Sequence, residues 1–351
     1  MIKNNAKTIA ILMATYNGEK YVEEMLRSLE KQTEDDFFCY IHDDGSTDQT
    51  MHILKKWVED HPYHFMILEG QAQGSAKDNF FWMLAQVESD YYMFADQDDV
   101  WMPDKVEKSF RKMKQTETLC QDKYQAFCVF TDMQVVDENL QEIAPSFIRY
   151  IGRDPYRTSM AEIIMDNPAA GCTMLFNRPL RDAALELRDP TKIEMHDVWI
   201  LALAAAYGTE HVGVVDEACA YYRQHANNEM GARTESKADK IKRNLIDLCS
   251  GRFMQQKRAF LQKGRDLAGQ MYLVDALPEK QKRILEENIG RIFRDRKIVQ
   301  MAAYRILQKI WFYEKSGNRM DVSVDIGLLF RKRWEKENMK NEEDQGWYSR
   351  R

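Results

Sequence analysis

The chain has 351 residues, with 50 Lys and Arg against 56 Asp and Glu, and a net charge of −6. Its 44% apolar composition can bury a sizeable core as one large domain or two ordinary ones. No run approaches the ~20 apolar residues of a membrane-spanning helix. The start, MIKNNAKTIAILMATYN, lacks a signal-peptide cleavage pattern. Cys39, Cys120, Cys128, Cys172, Cys219 and Cys249 show no C-x-x-C pair and no zinc-site spacing. Reduced thiols in a cytoplasmic protein are the expectation.

In chain order, residues 8–14 (TIAILMA) form a short apolar run before the turn-prone TYNG, which predicts a buried strand. Residues 19–32 show helical spacing through Tyr21, Val22, Met25, Leu26 and Leu29. Residues 37–42 (FFCYIH) predict a second strand, ending in DDGSTD with Gly45 at a turn. Ser46 or Thr47 is placed to cap a helix over 49–59. A third strand is expected at 65–68, a helix at 76–87 and a fourth strand at 91–95. This alternation predicts an α/β fold, a mostly parallel sheet flanked by helices. Ligands bind such sheets at the carboxyl ends of the strands. TYNG, DDGS and DQDD each follow a predicted strand, so the three are expected to meet in one crevice.

Residues 126–131 and 171–176 are further predicted strands, and 198–206 (VWILALAAA) a buried helix with Asp197 near its positive amino end. Two short strands are expected at 212–215 and 218–222. From about Ser236 the texture changes to helical spacing over 237–273 and 279–316, with Pro278 between. Residues 1–236 carry 23 basic and 40 acidic side chains, whereas 237–340 carry 25 and 13, a local charge of +12. The expected division is an α/β domain over 1–235, a basic helical extension over 236–340 and a polar tail over 341–351. With Trp311, Phe312, Tyr313 and Phe330, the extension suits a cap on the domain, a contact with a second copy in a homodimer, or a peripheral contact with anionic lipid. No nucleic-acid-binding motif accompanies its basic charge, and no nucleic-acid partner is expected.

Asp96, Asp98 and Asp99 fall within four residues and repel one another. A divalent cation held by Asp96-x-Asp98 through oxygen, magnesium or manganese, would relieve that repulsion and hold a diphosphate. A solvated loop or helix start is the plainer reading of a lone D-x-D. Asp99 suits a cap for the following helix and Pro103 its first turn. Asp43 and Asp44 either accept from a nucleobase or ribose or form an Asx-turn into Gly45. Thr15 and Asn17 either line the same pocket or make the turn. Lys77 suits a phosphate or base, and Asn79 a loop-pinning hydrogen bond. Asp197 is a candidate general base for a hydroxyl, or a helix N-cap, with His196 beside it to tune it or touch an acceptor. Arg223 suits a phosphate clamp and His225 a nitrogen ligand to the same metal, or both are plain surface residues.

Taken together, ILMATYNGEKYVEEMLRSLEKQT, DDGSTD, FADQDDVWMPDK, GCTMLFNR and HDVW resemble the family 2 glycosyltransferases of the GT-A fold, over roughly residues 8–230. YRQHANN, with DQDDVW and HDVW, resembles the bacterial rhamnosyltransferase-like branch. The resemblance implies a dTDP- or UDP-sugar donor, a divalent cation (Mn2+ or Mg2+) and inversion at the anomeric carbon. By motif, Asp43 or Asp44 would contact base and ribose with Thr15 and Asn17 nearby. Asp96 would hold ribose or metal, Asp98 would be the main metal ligand, His225 would lie near both, and Asp197 would be the base. His196 stands where many members have Glu. The Q-x-x-R-W signature of processive members is absent, which implies addition of one sugar or a few. The implied sugar is rhamnose, with galactose or glucose as alternatives. The implied acceptor is a hydroxyl of a cell-surface polysaccharide or lipid-linked glycan precursor. The alternatives are a nucleotidyltransferase or nucleotide-sugar pyrophosphorylase, which favours a glycine-rich basic loop where this chain has ATYNGEKY, and a non-catalytic nucleotide-sugar-binding protein, which needs no Asp197. A dinucleotide-binding G-x-G-x-x-G is absent after the first strand.

Overall fold

The computed structural model describes residues 2–3, 7–120, 125–225 and 252–294. Met1–Gly290 forms one compact unit; a second, Arg291–Arg351, is described only over 291–294. Trp311, Phe312, Tyr313, Phe330 and the tail 341–351 lie outside the described residues.

A nine-stranded mixed sheet organises the unit. Its centre is β1 (Ile9–Thr15), with β2 (Phe37–Asp43) and β4 (Tyr91–Asp96) parallel on either side. These strands read as near-continuous apolar runs because both faces are covered. Ala10 and Leu12 enter one core, and Ile9, Ile11 and Met13 the other, as the alternation of a strand requires. β3 (Phe65–Ile67) closes one edge. Across the sheet lie β5 (Val100–Trp101), β6 (Cys128–Val136), β7 (Met174–Asn177) and β8 (Val212–Arg223). The order is β3-β2-β1-β4-β7-β6-β8-β5, with Glu142–Ala144 pairing onto β6. Inserted antiparallel between β4 and β6, β7 makes the sheet mixed. The two short strands expected near 212–222 are one strand, whose register slips between Val215 and Ala218. Asp216 and Glu217 interrupt the apolar run, but the backbone passes through them as an irregularity.

The helices are α1 (Val22–Glu30), α2 (Thr50–Asp60), α3 (Ala76–Gln86), α4 (Lys105–Leu119), α5 (Phe147–Tyr150), α6 (Met160–Asp166), α7 (Arg178–Ala184), α8 (His196–Tyr207), α9 (Arg252–Tyr272) and α10 (Glu279–Arg294). In α1 the apolar spacing buries Val22, Met25, Leu26 and Leu29. α8 is apolar nearly all round and is buried nearly all round, with Trp199 donating its indole N–H to Ala184 O at 3.0 Å. Leu267, Ala268 and Met271 of α9, with Leu277 and Leu285, share the α8 core. Among the described residues no helix is long and apolar enough to cross a membrane.

Three caps differ from expectation. Neither Ser46 nor Thr47 caps α2; Asp48 Oδ1 accepts from Thr50 N at 2.9 Å instead. The N-cap of α4 is Asp104 rather than Asp99, because β5 takes up the chain after Asp99 and pairs with β8. Pro103 consequently precedes that cap, outside the helix. Asp197 lies in the first turn of α8, behind the N-cap Met195.

Candidate active site

Strand register builds the site before any side chain does. Thr15 stands opposite Asp43, and Ala14 opposite Asp96, so β1, β2 and β4 end level with one another. The loops that follow them face one cavity of about 540 Å³. Thr15, Asp44, Asp96, Asp98, His196 and Asp197 all line it. Phe147, Ala170, Met195 and Tyr222 give it an apolar wall.

The two aspartates of DDGS have different jobs. Asp43 is saturated: its carboxylate accepts from Thr15 Oγ1 (2.9 Å), Ser46 Oγ (2.6 Å), Ser46 N (2.8 Å) and Gly45 N (3.1 Å). These bonds shape the turn in which Gly45 holds φ +89°, and Asp43 does not line the cavity. Asp44 does, and its carboxylate also accepts from Gly74 N (3.0 Å) and from Gln73 N. Asn17 too is a turn residue, at φ +47°, with its side-chain oxygen accepting from Thr47 N at 2.8 Å. It stands outside the lining.

Asp98 Oδ2 lies 2.7 Å from His225 Nε2, and the His225 ring stacks on Tyr21 at 4.9 Å. His225 thus reaches the cavity through Asp98 rather than lining it. Arg223 is buried and does not line the cavity. It donates to Glu138 O (2.6 Å), Asp98 O (3.2 Å) and Glu24, with its guanidinium over Tyr21 at 4.7 Å. Its effect is to fix the backbone of the acidic loop.

Asp96 and Asp98, two residues apart, both line the cavity, and carboxylate oxygens suit a hard divalent cation. Asp96, Asp99 and Cys172 also bring ligand atoms within 4.8 Å of one another. That second grouping is a poorer cation seat. Asp99 and Cys172 are buried beside the buried Lys105, whose ammonium donates to Cys172 O at 2.6 Å and lies over Trp101 at 4.0 Å. Burial, then the nearby Asp96 and Asp98, hold the Asp99 carboxyl well above the usual range, so it favours the neutral acid.

Asp197 is buried at the cavity wall, and burial pushes its carboxyl up to about 6. Val198 N donates to its Oδ1 at 2.6 Å and Arg153 pulls the other way, but neither offsets desolvation. A carboxylate that titrates near neutrality is suited to accept a proton. His196, at 5% exposure, packs on Phe80 (4.5 Å) and Phe94 (4.8 Å), and burial lowers it to about 3. It is therefore neutral at working pH. Among the described residues neither ring nitrogen has a hydrogen-bond partner, and Nε2 occupies the space a Cβ at Gly171 would need, 2.3 Å away.

Lys77 does not line the cavity. Its ammonium donates to Pro190 O (2.8 Å) and Ile193 O (3.3 Å), anchoring the segment that leads into α8 and Asp197. Asn79 lines the cavity and pairs with His42 Nδ1 at 2.7 Å. Tyr16, Gln97, Phe147, Met195 and Tyr222 also line the cavity. Reading the motifs did not single them out. Tyr16, Gln97 and Tyr222 sit inside quoted motifs and Met195 adjoins one, so their neighbours were the available signal, whereas Phe147 carries none.

Comparison with known proteins gives the family resemblance of the chain. The family model described as "Glycosyl transferase family 2" matches residues 10–182. The dTDP-rhamnosyl transferase RfbG of Shigella flexneri is 28% identical over 238 residues, 64% of this chain and 76% of that protein. The poly(ribitol-phosphate) beta-N-acetylglucosaminyltransferase TarS of Staphylococcus aureus (strain Mu50 / ATCC 700699) is 36% identical over 92 residues, 26% of this chain and 16% of that one. A crystal structure of S. aureus TarS 1-349 in complex with UDP-GlcNAc shares the fold, with a TM-score of 0.51 at 19% identity over 83% of this chain and 74% of that one. Residues 10–182 match glycosyl transferase family 2, and the chain is a glycosyltransferase.

Proposed function

We propose that the cavity binds a pyrimidine nucleoside diphosphate-sugar and transfers the sugar, with inversion, to an acceptor hydroxyl. One observation carries the reading: Asp44, the Asp96–Asp98 pair and Asp197, from three separated segments, line a single cavity. Asp44 takes the base and ribose end, beside Thr15. Asp43, Asn17, Lys77 and Arg223 support it from behind. The acidic pair fits a divalent cation, manganese or magnesium, with Asp98 oriented by His225 at 2.7 Å. When bound, the cation supplies neutralisation of the charge left on the departing nucleoside diphosphate.

The remaining steps belong to the chain. The acceptor oxygen attacks the anomeric carbon from the side opposite the leaving diphosphate, and Asp197 takes its proton. One C–O bond forms as the other breaks, so the anomeric centre inverts with no enzyme-bound intermediate. The apolar wall of Phe147, Met195 and Tyr222 excludes water that would otherwise compete as acceptor.

The proposed donor is dTDP-rhamnose, supported by the likeness to RfbG. The proposed acceptor is a hydroxyl of a cell-surface polysaccharide or lipid-linked glycan precursor, met on the cytoplasmic side of the membrane. A donor panel with manganese tests the sugar. Nucleoside diphosphate release from dTDP-rhamnose well above that from UDP-glucose, UDP-galactose and UDP-GlcNAc supports the assignment. Preference for any of the three UDP-sugars contradicts it.

A further inference from the structure

We propose that Gln97 is a positioning residue that locks the loop after β1 onto the acidic loop after β4, and that Gly18 is the gap its amide fills. The inference rests on reading the cavity as a donor site.

Gln97 stands between Asp96 and Asp98 and lines the cavity with them. Its side-chain amide pairs with one peptide in both directions. Oε1 accepts from Tyr16 N at 2.9 Å, and Nε2 donates to Tyr16 O at 2.8 Å. Only a neutral carboxamide donates and accepts at once in this way; a carboxylate at 97 has no donor for Tyr16 O. The two bonds connect residues 81 apart in sequence.

Gly18 completes the lock by being absent from the space. A Cβ there would lie 2.1 Å from Gln97 Oε1 and 2.4 Å from its Cδ. Gly18 is not free to retreat. Its N–H donates to Thr50 Oγ1 at 2.7 Å, and its carbonyl accepts from Tyr21 N and Val22 N at 3.0 Å each. A side chain at 18 therefore displaces the flexible member of the pair, the Gln97 amide.

The consequence is mechanical. Tyr16, a cavity-lining residue 56% exposed, and the two carboxylates flanking Gln97 move as one body. The nucleoside end and the diphosphate end of the donor site are thus preset relative to each other. Presetting lowers the cost of binding and leaves the chemical step alone.

Two substitutions test this. Gln97→Met keeps the length without the amide, and Gly18→Ala evicts the amide. Each is expected to raise donor KM by about 10-fold with kcat changed less than about twofold, because only binding loses preorganisation. The melting temperature is expected to move by no more than about 2 °C. The double variant should be no worse than the poorer single one, since both break the same pair. Unchanged KM, a fall in kcat instead, or additive losses in the double variant overturn the proposal. Hydrogen exchange at the Tyr16 amide needs no donor and separates the two ideas. Lost protection in Gln97→Met supports the lock even if the wild-type protein turns over no donor, which would count against the donor-site reading alone. Equal protection in both proteins overturns the lock.

Discussion

Asp197 is the residue on which chemistry and stability pull in opposite directions. Its folded value of about 6 lies above the ordinary 3.8, so the fold prefers the protonated acid. Stability from this group is therefore complete below about pH 4 and is lost as pH rises through 6. At pH 8 the buried anion costs on the order of 3 kcal/mol. Catalysis needs that anion, so donor turnover is expected to rise with pH through about 6 and then level off. Asp197→Asn is expected to slow transfer by about 10²–10⁴-fold while leaving donor affinity near wild type. The same variant should melt higher than wild type at pH 8 and no higher at pH 4, as calorimetry at the two values can check. A lower melting point at pH 8, or a transfer rate near wild type, would remove Asp197 from the base role.

At the scale of elements, two long basic side chains hold loops by donating to their carbonyls. Lys77 anchors the segment into α8 through Pro190 and Ile193 carbonyls. Lys77→Ala is expected to lower kcat by about 10-fold through misplacement of Asp197, with donor KM nearly unchanged. A large rise in KM would restore the phosphate role that its sequence position suggested. Arg223→Met strands the Glu138 and Asp98 carbonyls and is expected to cost about 2 kcal/mol, read as an earlier midpoint in urea unfolding.

Much of this scale was legible in the chain. The apolar runs of β1, β2 and β4, each closed by a polar turn, located the cavity rim to within a residue or two, because parallel strands buried on both faces have little room for other patterns. Asp44, Asp96, Asp98 and Asp197 reached the cavity as their motifs suggested. What was not legible depends on pairing across long separations. The antiparallel insertion of β7, the division of labour between Asp43 and Asp44, and the Gln97–Tyr16 pair are set by neighbours that no local pattern names. Asn17 and Lys77 bond to Thr47 N and to the Pro190 and Ile193 carbonyls, because a polar side chain near a site can serve a carbonyl or an amide as readily as a substrate.

Over the whole molecule, charge is the least local property. Residues 1–236 carry −17 and residues 237–340 carry +12, from 23 against 40 and 25 against 13 charged side chains. The described part of the basic region presents apolar side chains to the α8 core, including Leu267, Met271 and Leu285, so those helices are already partnered on that side. Phe260, Tyr272, Leu273 and Ile284 are exposed. If that charge serves an anionic surface, the full chain should sediment with anionic vesicles and release them as salt approaches 0.5 M. Equal recovery with neutral vesicles would argue that the charge has another use.

The central claim is that carboxylates from separate strand ends act together on one donor. It is tested most directly by nucleoside diphosphate release from a matched donor, with manganese, by the wild-type protein, Asp98→Ala and Asp197→Asn. The account predicts metal-dependent release by wild type. It predicts loss of that metal dependence together with turnover in Asp98→Ala, and donor binding without transfer in Asp197→Asn. Wild-type rates in either variant, or equal turnover with the metal chelated, would contradict it.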